Sequence, residues 1–141
     1  MTLTLCNKNS WLLSEEAFRL YSPCMYKPTF EKFTTQMSEL SADPLIKILK
    51  SEDDRTQGIL ILKIEGTTAE IVGIAVSENR RRSGIGRSMI LEAMQILKLM
   101  KVTAQTDDDA VEFYRRCGFD IRKKTVEYPD GIVTRYDCVL S

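Results

Sequence analysis

The sequence feature that most constrains the fold is a glycine- and arginine-rich stretch, residues 77–88, between an apolar run and an amphipathic run. Apolar residues recur as in a buried strand before it and at helical spacing after it. Gly84 and Gly86 therefore lie where a strand passes into a helix. The first turn of a helix has backbone N–H groups without intrahelical partners, and glycine has no Cβ to hold an anion away from them. This stretch predicts a binding site for phosphate groups.

Spacing separates the phosphate-binding loops that such a junction could form. A Walker loop ends in Gly-Lys-Ser/Thr, whereas arginine follows Gly86. A dinucleotide-binding fingerprint needs a third small residue where this chain has Met89. The pattern Arg81-x-x-Gly84-x-Gly86 instead resembles the pyrophosphate-binding motif of the GNAT superfamily of acyl-CoA-dependent N-acetyltransferases. A tight strand-to-helix turn with solvated arginines would give the same local pattern.

A second stretch, residues 107–119, resembles the other GNAT signature, Asn-x-x-Ala-x-x-x-Tyr-x-x-x-Gly-Phe. Its alanine, tyrosine, glycine and phenylalanine stand at 110, 114, 118 and 119, at the expected distance after the glycine loop. Asp107 replaces the usual asparagine. An ionised carboxylate only accepts hydrogen bonds, so its contact to a pantetheine amide would have to use the amide N–H.

The GNAT resemblance implies a mixed α/β fold, with a central, mostly antiparallel sheet flanked by about four helices. One parallel pair of strands splays apart, and the pantetheine arm enters the resulting notch. Acetyl-CoA is the implied co-substrate, and no metal is expected. The implied cofactor-binding residues are Ile74, Ala75, Val76, Arg81, Arg82, Ser83, Gly84, Ile85, Gly86, Arg87, Ser88, Asp107 and Tyr114.

The resemblance also places Tyr114 where family members carry a tyrosine whose hydroxyl faces the CoA sulfur. A neutral phenol, with a reference pKa near 10, holds a proton for a thiolate leaving group at neutral pH. Tyr114 is therefore the candidate general acid. The general base stays open among Glu70, Glu112 and a water relay.

Periodicity and turn residues predict the remaining elements. Strands are expected at 2–6, 45–49, 59–64, 69–76 and 101–105, and a terminal hairpin at 119–128 and 132–140. Helices are expected from Ser14, from Thr29, over about 84–99, and over 108–116 with Asp107 as N-cap. In the first two helices the aromatic side chains are candidate acceptor contacts, with core packing as the favoured alternative. These are Tyr21, Tyr26, Phe30 and Phe33.

Composition bounds the class of protein. The length of 141 residues predicts one domain, which the resemblance makes GNAT-like over 1–141, and a net charge of zero does not favour nucleic acid as a partner. The chain has no histidine and four scattered cysteines, which argues against a zinc site and against Ser-His or Cys-His nucleophiles. No apolar run has the length of a membrane span, and residues 1–9 lack the pattern of a signal peptide, so a cytoplasmic protein is expected.

The function expected from the two motifs is direct transfer of acetyl from acetyl-CoA to a primary amine, without a covalent enzyme intermediate. One alternative is a catalytically silent acyl-CoA-binding or regulatory module, in which Tyr114 is dispensable. A third is a nucleic-acid-binding domain that uses Arg80–Arg82, which would show strong salt dependence. The sequence does not specify whether the acceptor is a small amine, an antibiotic, a peptide N-terminus or a lysine, or whether the protein forms a homodimer.

Overall fold

The computed structural model describes residues 2–53, 55–78 and 84–141. Within these ranges the chain forms seven strands and four α-helices. The strands are β1 (Thr2–Leu5), β2 (Ile46–Glu52), β3 (Thr56–Glu65), β4 (Thr68–Val76), β5 (Lys101–Thr106), β6 (Asp120–Tyr128) and β7 (Gly131–Leu140). The helices are α1 (Glu15–Tyr21), α2 (Phe30–Ala42), α3 (Ile85–Ile96) and α4 (Val111–Arg116), and short 3-10 turns at Ser10–Leu13 and Ser22–Cys24 flank α1.

The seven strands form one sheet in the order β1-β2-β3-β4-β5-β7-β6. Neighbours pair antiparallel except β4 and β5, which α3 connects as a parallel crossover. The mixed, mostly antiparallel sheet with four helices that the sequence predicts is therefore confirmed.

The parallel pair β4–β5 separates part of the way along. Its register runs only from Thr68 opposite Lys101 to Glu70 opposite Thr103. Beyond that point β4 continues to Val76 and β5 to Thr106 without pairing to each other. The splayed pair predicted from the family resemblance is present, and it leaves a notch in the middle of the sheet.

A β-bulge lies on β4 beside this notch. Gly73 and Ile71 pair with adjacent residues of β3, so Val72 is an extra residue on β4. A bulge changes the direction in which the following side chains point. Ile71 packs in the core beneath α3, whereas Ala75 packs in the core beneath α1 and α2.

The sheet carries a separate apolar core on each face. Alternate residues of β3 serve the two cores, with Leu60 and Leu62 on one face and Ile59 and Ile61 on the other. The core beneath α3 and α4 includes Met89, Ile90, Tyr114 and Phe119. The core beneath α1 and α2 includes Leu12, Phe33, Met37 and Ile48.

The predicted helix starts hold for the first two helices. Ser14 accepts a hydrogen bond from the Ala17 N–H at 3.2 Å, and Thr29 accepts one from the Lys32 N–H at 3.1 Å. Helix α3 ends at Ile96, earlier than the predicted Leu99.

The predicted start of α4 is wrong. The helix begins at Val111 and its N-cap is Ala110, not Asp107. The Asp107 carboxylate instead accepts the N–H groups of Asp109 and Ala110, each at 3.1 Å. These bonds stabilise a separate turn ahead of the helix. The Asp107 side chain therefore caps this turn, three residues before the N-cap of α4.

Candidate functional site

A cleft of about 980 Å³ opens where β4 and β5 separate. It is bounded by the end of β4, the first turn of α3, one side of α4 and the turn that follows α1. Eight of the predicted site residues line it: Ile74, Ala75, Val76, Gly84, Ile85, Gly86, Arg87 and Tyr114. Two stretches that are separate in the sequence thus meet in one cavity.

Other predicted site residues are not among those found along the cleft. Ser88 and Asp107 are exposed, and neither belongs to the described lining. The Asp107 side chain is occupied by the turn before α4. The predictions for Arg81, Arg82 and Ser83 lie outside the described residues.

Sequence reasoning missed several residues of the lining. Those near the two motifs are Thr106, Asp109, Ala110, Phe113, Arg116 and Cys117. Pro23, Cys24 and Gly73 complete the described lining. Cys24 follows α1 in the chain, yet its thiol donates a hydrogen bond to the Ile74 carbonyl at 3.1 Å. No local pattern signals such a contact, because the two residues are far apart in the sequence.

The start of α3 presents to the cleft backbone donors that have no partner among the described residues. Gly84 precedes the helix in the left-handed conformation, with φ of 83°, and a Cβ built there would meet no atom within 4 Å. The first helical bond inside α3 runs from the Ser88 N–H to the Gly84 carbonyl, at 3.0 Å. The N–H groups of residues 85–87 are therefore available at the positive end of the helix dipole, which suits an anion.

Two guanidinium groups add positive charge to this part of the cleft. Arg87 on α3 and Arg116 on α4 both belong to the lining. Burial raises the pKa of the nearby Cys117 thiol, and the charges of these two arginines counteract that rise. The cleft therefore combines backbone donors with cationic side chains.

Gly86 has a different role from the one its motif suggests. It is buried, and a Cβ built on it would lie 2.6 Å from Cε1 and 2.8 Å from Cζ of Phe113. The missing side chain thus makes room for the Phe113 ring between α3 and α4. Gly84 differs, because its left-handed φ of 83° by itself favours glycine and no atom of the described residues lies within 4 Å of where its Cβ would stand.

Tyr114 lies in the wall of the cleft with its ring almost fully buried. Phe113 and Phe119 contact the ring edge-to-face, with centroids at 5.1 and 5.2 Å. Burial raises the pKa of the Tyr114 hydroxyl well above its usual value, and nearby thiols raise it further. In the part of the chain that the structure describes, no group is hydrogen-bonded to this hydroxyl. Tyr114 is therefore a neutral phenol whose proton is not held by a described partner.

The four aromatic acceptor candidates divide between core and surface. Tyr21 on α1 and Phe33 on α2 are buried in the core between these helices and the sheet, as the core-packing alternative predicts. Tyr26 is 84% exposed and Phe30 is 44% exposed. The Tyr21 hydroxyl packs directly against Gly73, and a Cβ at Gly73 would overlap it. Burial raises the pKa of Tyr21 to about 12.

Neither a metal site nor a membrane-spanning helix is found in the regions described. Within residues 2–53, 55–78 and 84–141, no three side chains of histidine, cysteine, aspartate or glutamate are grouped to hold a metal ion. Among the helices described, none has both the length and the apolar character needed to cross a membrane.

Comparison with known proteins relates this arrangement to one family. The family model described as the acetyltransferase (GNAT) family matches residues 10–119. The uncharacterized N-acetyltransferase YvbK of Bacillus subtilis (strain 168) is 30% identical over 76 residues, which are 49% of this chain and 49% of that protein. The chain thus spans about half the length of the curated relative it matches.

Two solved structures share the fold. The aminoglycoside 6′-acetyltransferase type Ii aligns with a TM-score of 0.75 and 19% identity, over 100% of this chain and 97% of that one. A variant of the spermidine N-acetyltransferase SpeG from Vibrio cholerae aligns with a TM-score of 0.71 and 16% identity, over 99% and 94% of the two chains. The family model covers most of the chain, and the protein therefore belongs to the GNAT family of acetyltransferases.

Proposed function

We propose that this protein transfers an acetyl group from acetyl-CoA to a primary amine. The observation that carries the proposal is the β4–β5 cleft, which brings the first N–H groups of α3 and the neutral phenol of Tyr114 into one cavity. GNAT proteins normally use acetyl-CoA, which supplies the acetyl group activated as a thioester. We further propose that residues 1–141 work as one domain.

The phosphate groups of acetyl-CoA fit the start of α3. The space above Gly84 is empty, and the N–H groups of residues 85–87 have no helical partner. Arg87 supplies charge at the same place. In the family motif Arg81, Arg82 and Ser83 belong to the same loop, and we propose that they complete this phosphate site.

The end of β4 is proposed to activate the thioester carbonyl. In a strand, the N–H and C=O of one residue point to the same edge. The Ile74 carbonyl accepts the Cys24 thiol within the cleft, which supports an Ile74 N–H that also faces the notch. A backbone donor aimed at a developing oxyanion stabilises the transition state of acyl transfer.

Tyr114 is proposed to donate its proton to the departing sulfur. Its raised pKa keeps the hydroxyl protonated at neutral pH, which is the form that a general acid needs. The amine first attacks the thioester carbonyl directly; the C–S bond then breaks and the sulfur takes the Tyr114 proton as it leaves, so no acyl-enzyme is required.

We favour Glu70 over Glu112 as the general base because of its position. Glu70 is exposed and lies in the last registered pair before the strands separate. Glu112 is instead paired with Arg115 on the same helix. A water between Glu70 and the amine would complete the proton path without a direct contact.

The acceptor class is proposed by analogy with the structures of similar fold. One is named for aminoglycosides and one for spermidine, and both kinds of molecule carry primary amines. Polyamines and aminoglycosides are therefore the first compounds to test, followed by peptides with a free N-terminus or a lysine. A cytoplasmic location and a homodimer stay predictions; sedimentation of the purified chain measures the second.

The decisive experiment is a CoA-release assay with acetyl-CoA and a panel of these amines. We expect amine-dependent CoA release in the parent and binding of acetyl-CoA by calorimetry. Acetyl-CoA should also raise the melting temperature, as a ligand selective for the native state must. Binding without release for every amine would support the silent module. Tight binding of DNA or RNA that acetyl-CoA does not displace would support the nucleic-acid alternative.

A further inference from the structure

We infer that Phe113 is a positioning residue, which links the phosphate-binding start of α3 to Tyr114 through the space left by Gly86. This inference rests on the proposed function, because it concerns the geometry of the same reaction. In this inference, the role of Gly86 is to let α3 and α4 pack in the correct alignment.

The first link is the contact between α3 and α4. Gly86 lies in the first turn of α3, and the edge of the Phe113 ring lies where a Cβ of residue 86 would stand. The nearest ring atom would be 2.6 Å from that Cβ, whereas ordinary contact begins at 3.4 Å. The ring can occupy this place only because residue 86 is glycine.

The second link is the aromatic stack. Phe113 contacts the Tyr114 ring at 5.1 Å between centroids, and Phe119 contacts the same ring at 5.2 Å. Phe113 and Tyr114 are neighbours in the chain, so a shift of the first also moves the backbone of the second. The Tyr114 ring therefore packs against two aromatic rings, one of which contacts α3.

The third link is the short length of α4. The helix spans only Val111–Arg116, and so few turns give little stability of their own. Its end is fixed by Gly118, whose φ is 92° and whose N–H is bonded to the Arg115 carbonyl at 3.1 Å. Asp108 in the turn before α4 accepts a hydrogen bond from the Tyr136 hydroxyl at 2.6 Å, and the Phe113 ring packs against Gly86 on the side of α3. Packing against α3 is thus one of the contacts that set where Tyr114 stands.

This arrangement fixes the distance between the places where the two ends of one ligand bind. A molecule held by its phosphates at residues 84–87 reaches Tyr114 with its thioester only if α3 and α4 keep their spacing. Addition of one methyl group at Gly86 would push the ring by about 0.8 Å, from 2.6 Å to 3.4 Å. A misplacement near 1 Å can cost about 10²-fold in rate.

The test is a cycle of four proteins: the parent, Gly86→Ala, Phe113→Leu and the double variant. We expect Gly86→Ala to lower kcat by about 10²-fold while the KM for acetyl-CoA changes little. In the Gly86→Ala background, Phe113→Leu removes the ring atoms that the new Cβ would meet. The double variant should therefore be faster than Gly86→Ala alone, although each single variant is slower than the parent.

A matched control separates this effect from general crowding beneath α3. A Cβ at Gly58 would lie 2.8 Å from the end of the Met89 side chain in the same core, with no Phe113 atom among its three nearest neighbours. Phe113→Leu should not restore any activity that Gly58→Ala loses. Kinetic effects of Gly86→Ala and Phe113→Leu that simply multiply in the double variant would overturn the inference.

A second readout does not depend on turnover. The near-ultraviolet circular dichroism of Tyr114 is obtained at neutral pH as the difference between each protein and its Tyr114→Phe version. Displaced packing in Gly86→Ala should reduce this signal, and Phe113→Leu in the same background should restore part of it. An unchanged signal in Gly86→Ala would refute the positioning role. If Tyr114→Phe keeps full activity while the signal changes as expected, the general-acid role fails and the packing link stands.

Discussion

Replacement of Tyr114 by phenylalanine removes only the hydroxyl and leaves the packing in place. The edge-to-face contacts with Phe113 and Phe119 involve the ring, which the variant keeps. In the described part of the chain no hydrogen-bond partner of the hydroxyl is left unsatisfied. We therefore expect the free energy of unfolding to change by less than about 1 kcal/mol.

The catalytic effect of Tyr114→Phe should be much larger. Loss of a general acid lowers kcat by about 10²- to 10⁴-fold, or about 2.7 to 5.5 kcal/mol at 1.36 kcal/mol per tenfold. The KM for acetyl-CoA should change little, because the proton is needed only in the transition state. Steady-state kinetics of CoA release, with Tyr128→Phe as the same chemical change at an exposed position, measure both constants.

The pH dependence has a definite sign. The pKa of Tyr114 is raised by burial, so the acid form is present at neutral pH and is lost only as pH rises through the raised pKa. The parent kcat should show no falling limb from this group below about pH 10, its ordinary value. Undiminished kcat in Tyr114→Phe would refute the assignment and mean that solvent protonates the thiolate. A loss confined to acetyl-CoA affinity would make Tyr114 a wall of the cleft.

Three further predictions use the same structure. Gly84→Val should weaken acetyl-CoA binding in calorimetry while Gly66→Val, with a similar φ of 63° in a distant hairpin turn, should not; equal affinities would count against the phosphate site. Gly73→Ala should lower the free energy of unfolding by about 1–3 kcal/mol in urea, with part recovered by Tyr21→Phe, because the added Cβ overlaps the Tyr21 hydroxyl. Burial raises the pKa of Cys6 from 9.0 to about 11, so stability is full below pH 9 and falls as pH rises towards 11; Cys6→Ala should flatten this part of the urea-unfolding profile, and an unchanged slope would contradict it.

Local signals in the sequence are sufficient for the strand and the helix that meet at Gly84, and for the presence of α4 but not for the residue at which it begins. The change from strand periodicity to helix periodicity around Gly84 predicts the β4–α3 junction, and the crossover length predicts that β5 lies parallel to β4. Tyr114 is a functional candidate because of the family motif. Periodicity alone would assign it to the core. Both descriptions hold, since its ring is in the core and also lines the cleft.

Tertiary contacts explain what the sequence did not predict. The extra residue Val72 interrupts β4 without breaking its apolar run, so the bulge leaves no local trace. Cys24 reaches the cleft through a partner fifty positions away, at Ile74. The partner of Gly86 is Phe113, on a different helix, and only the packed structure brings the two together.

The two cores on opposite faces of the sheet have a consequence for divergence and engineering. Helices α1 and α2 pack on one face and α3 and α4 on the other, with the strands between them. Mutations whose side chains share no partners act additively, so changes in the first pair of helices need no compensation in the second. Changes in the segment between β1 and β2 are therefore coupled to the strands on their own face, as Tyr21 is to Gly73, and not to α3 and α4. Replacement of that segment would alter the cleft wall at Pro23 and Cys24. It would leave α3 and α4, which we propose to bind acetyl-CoA, unchanged.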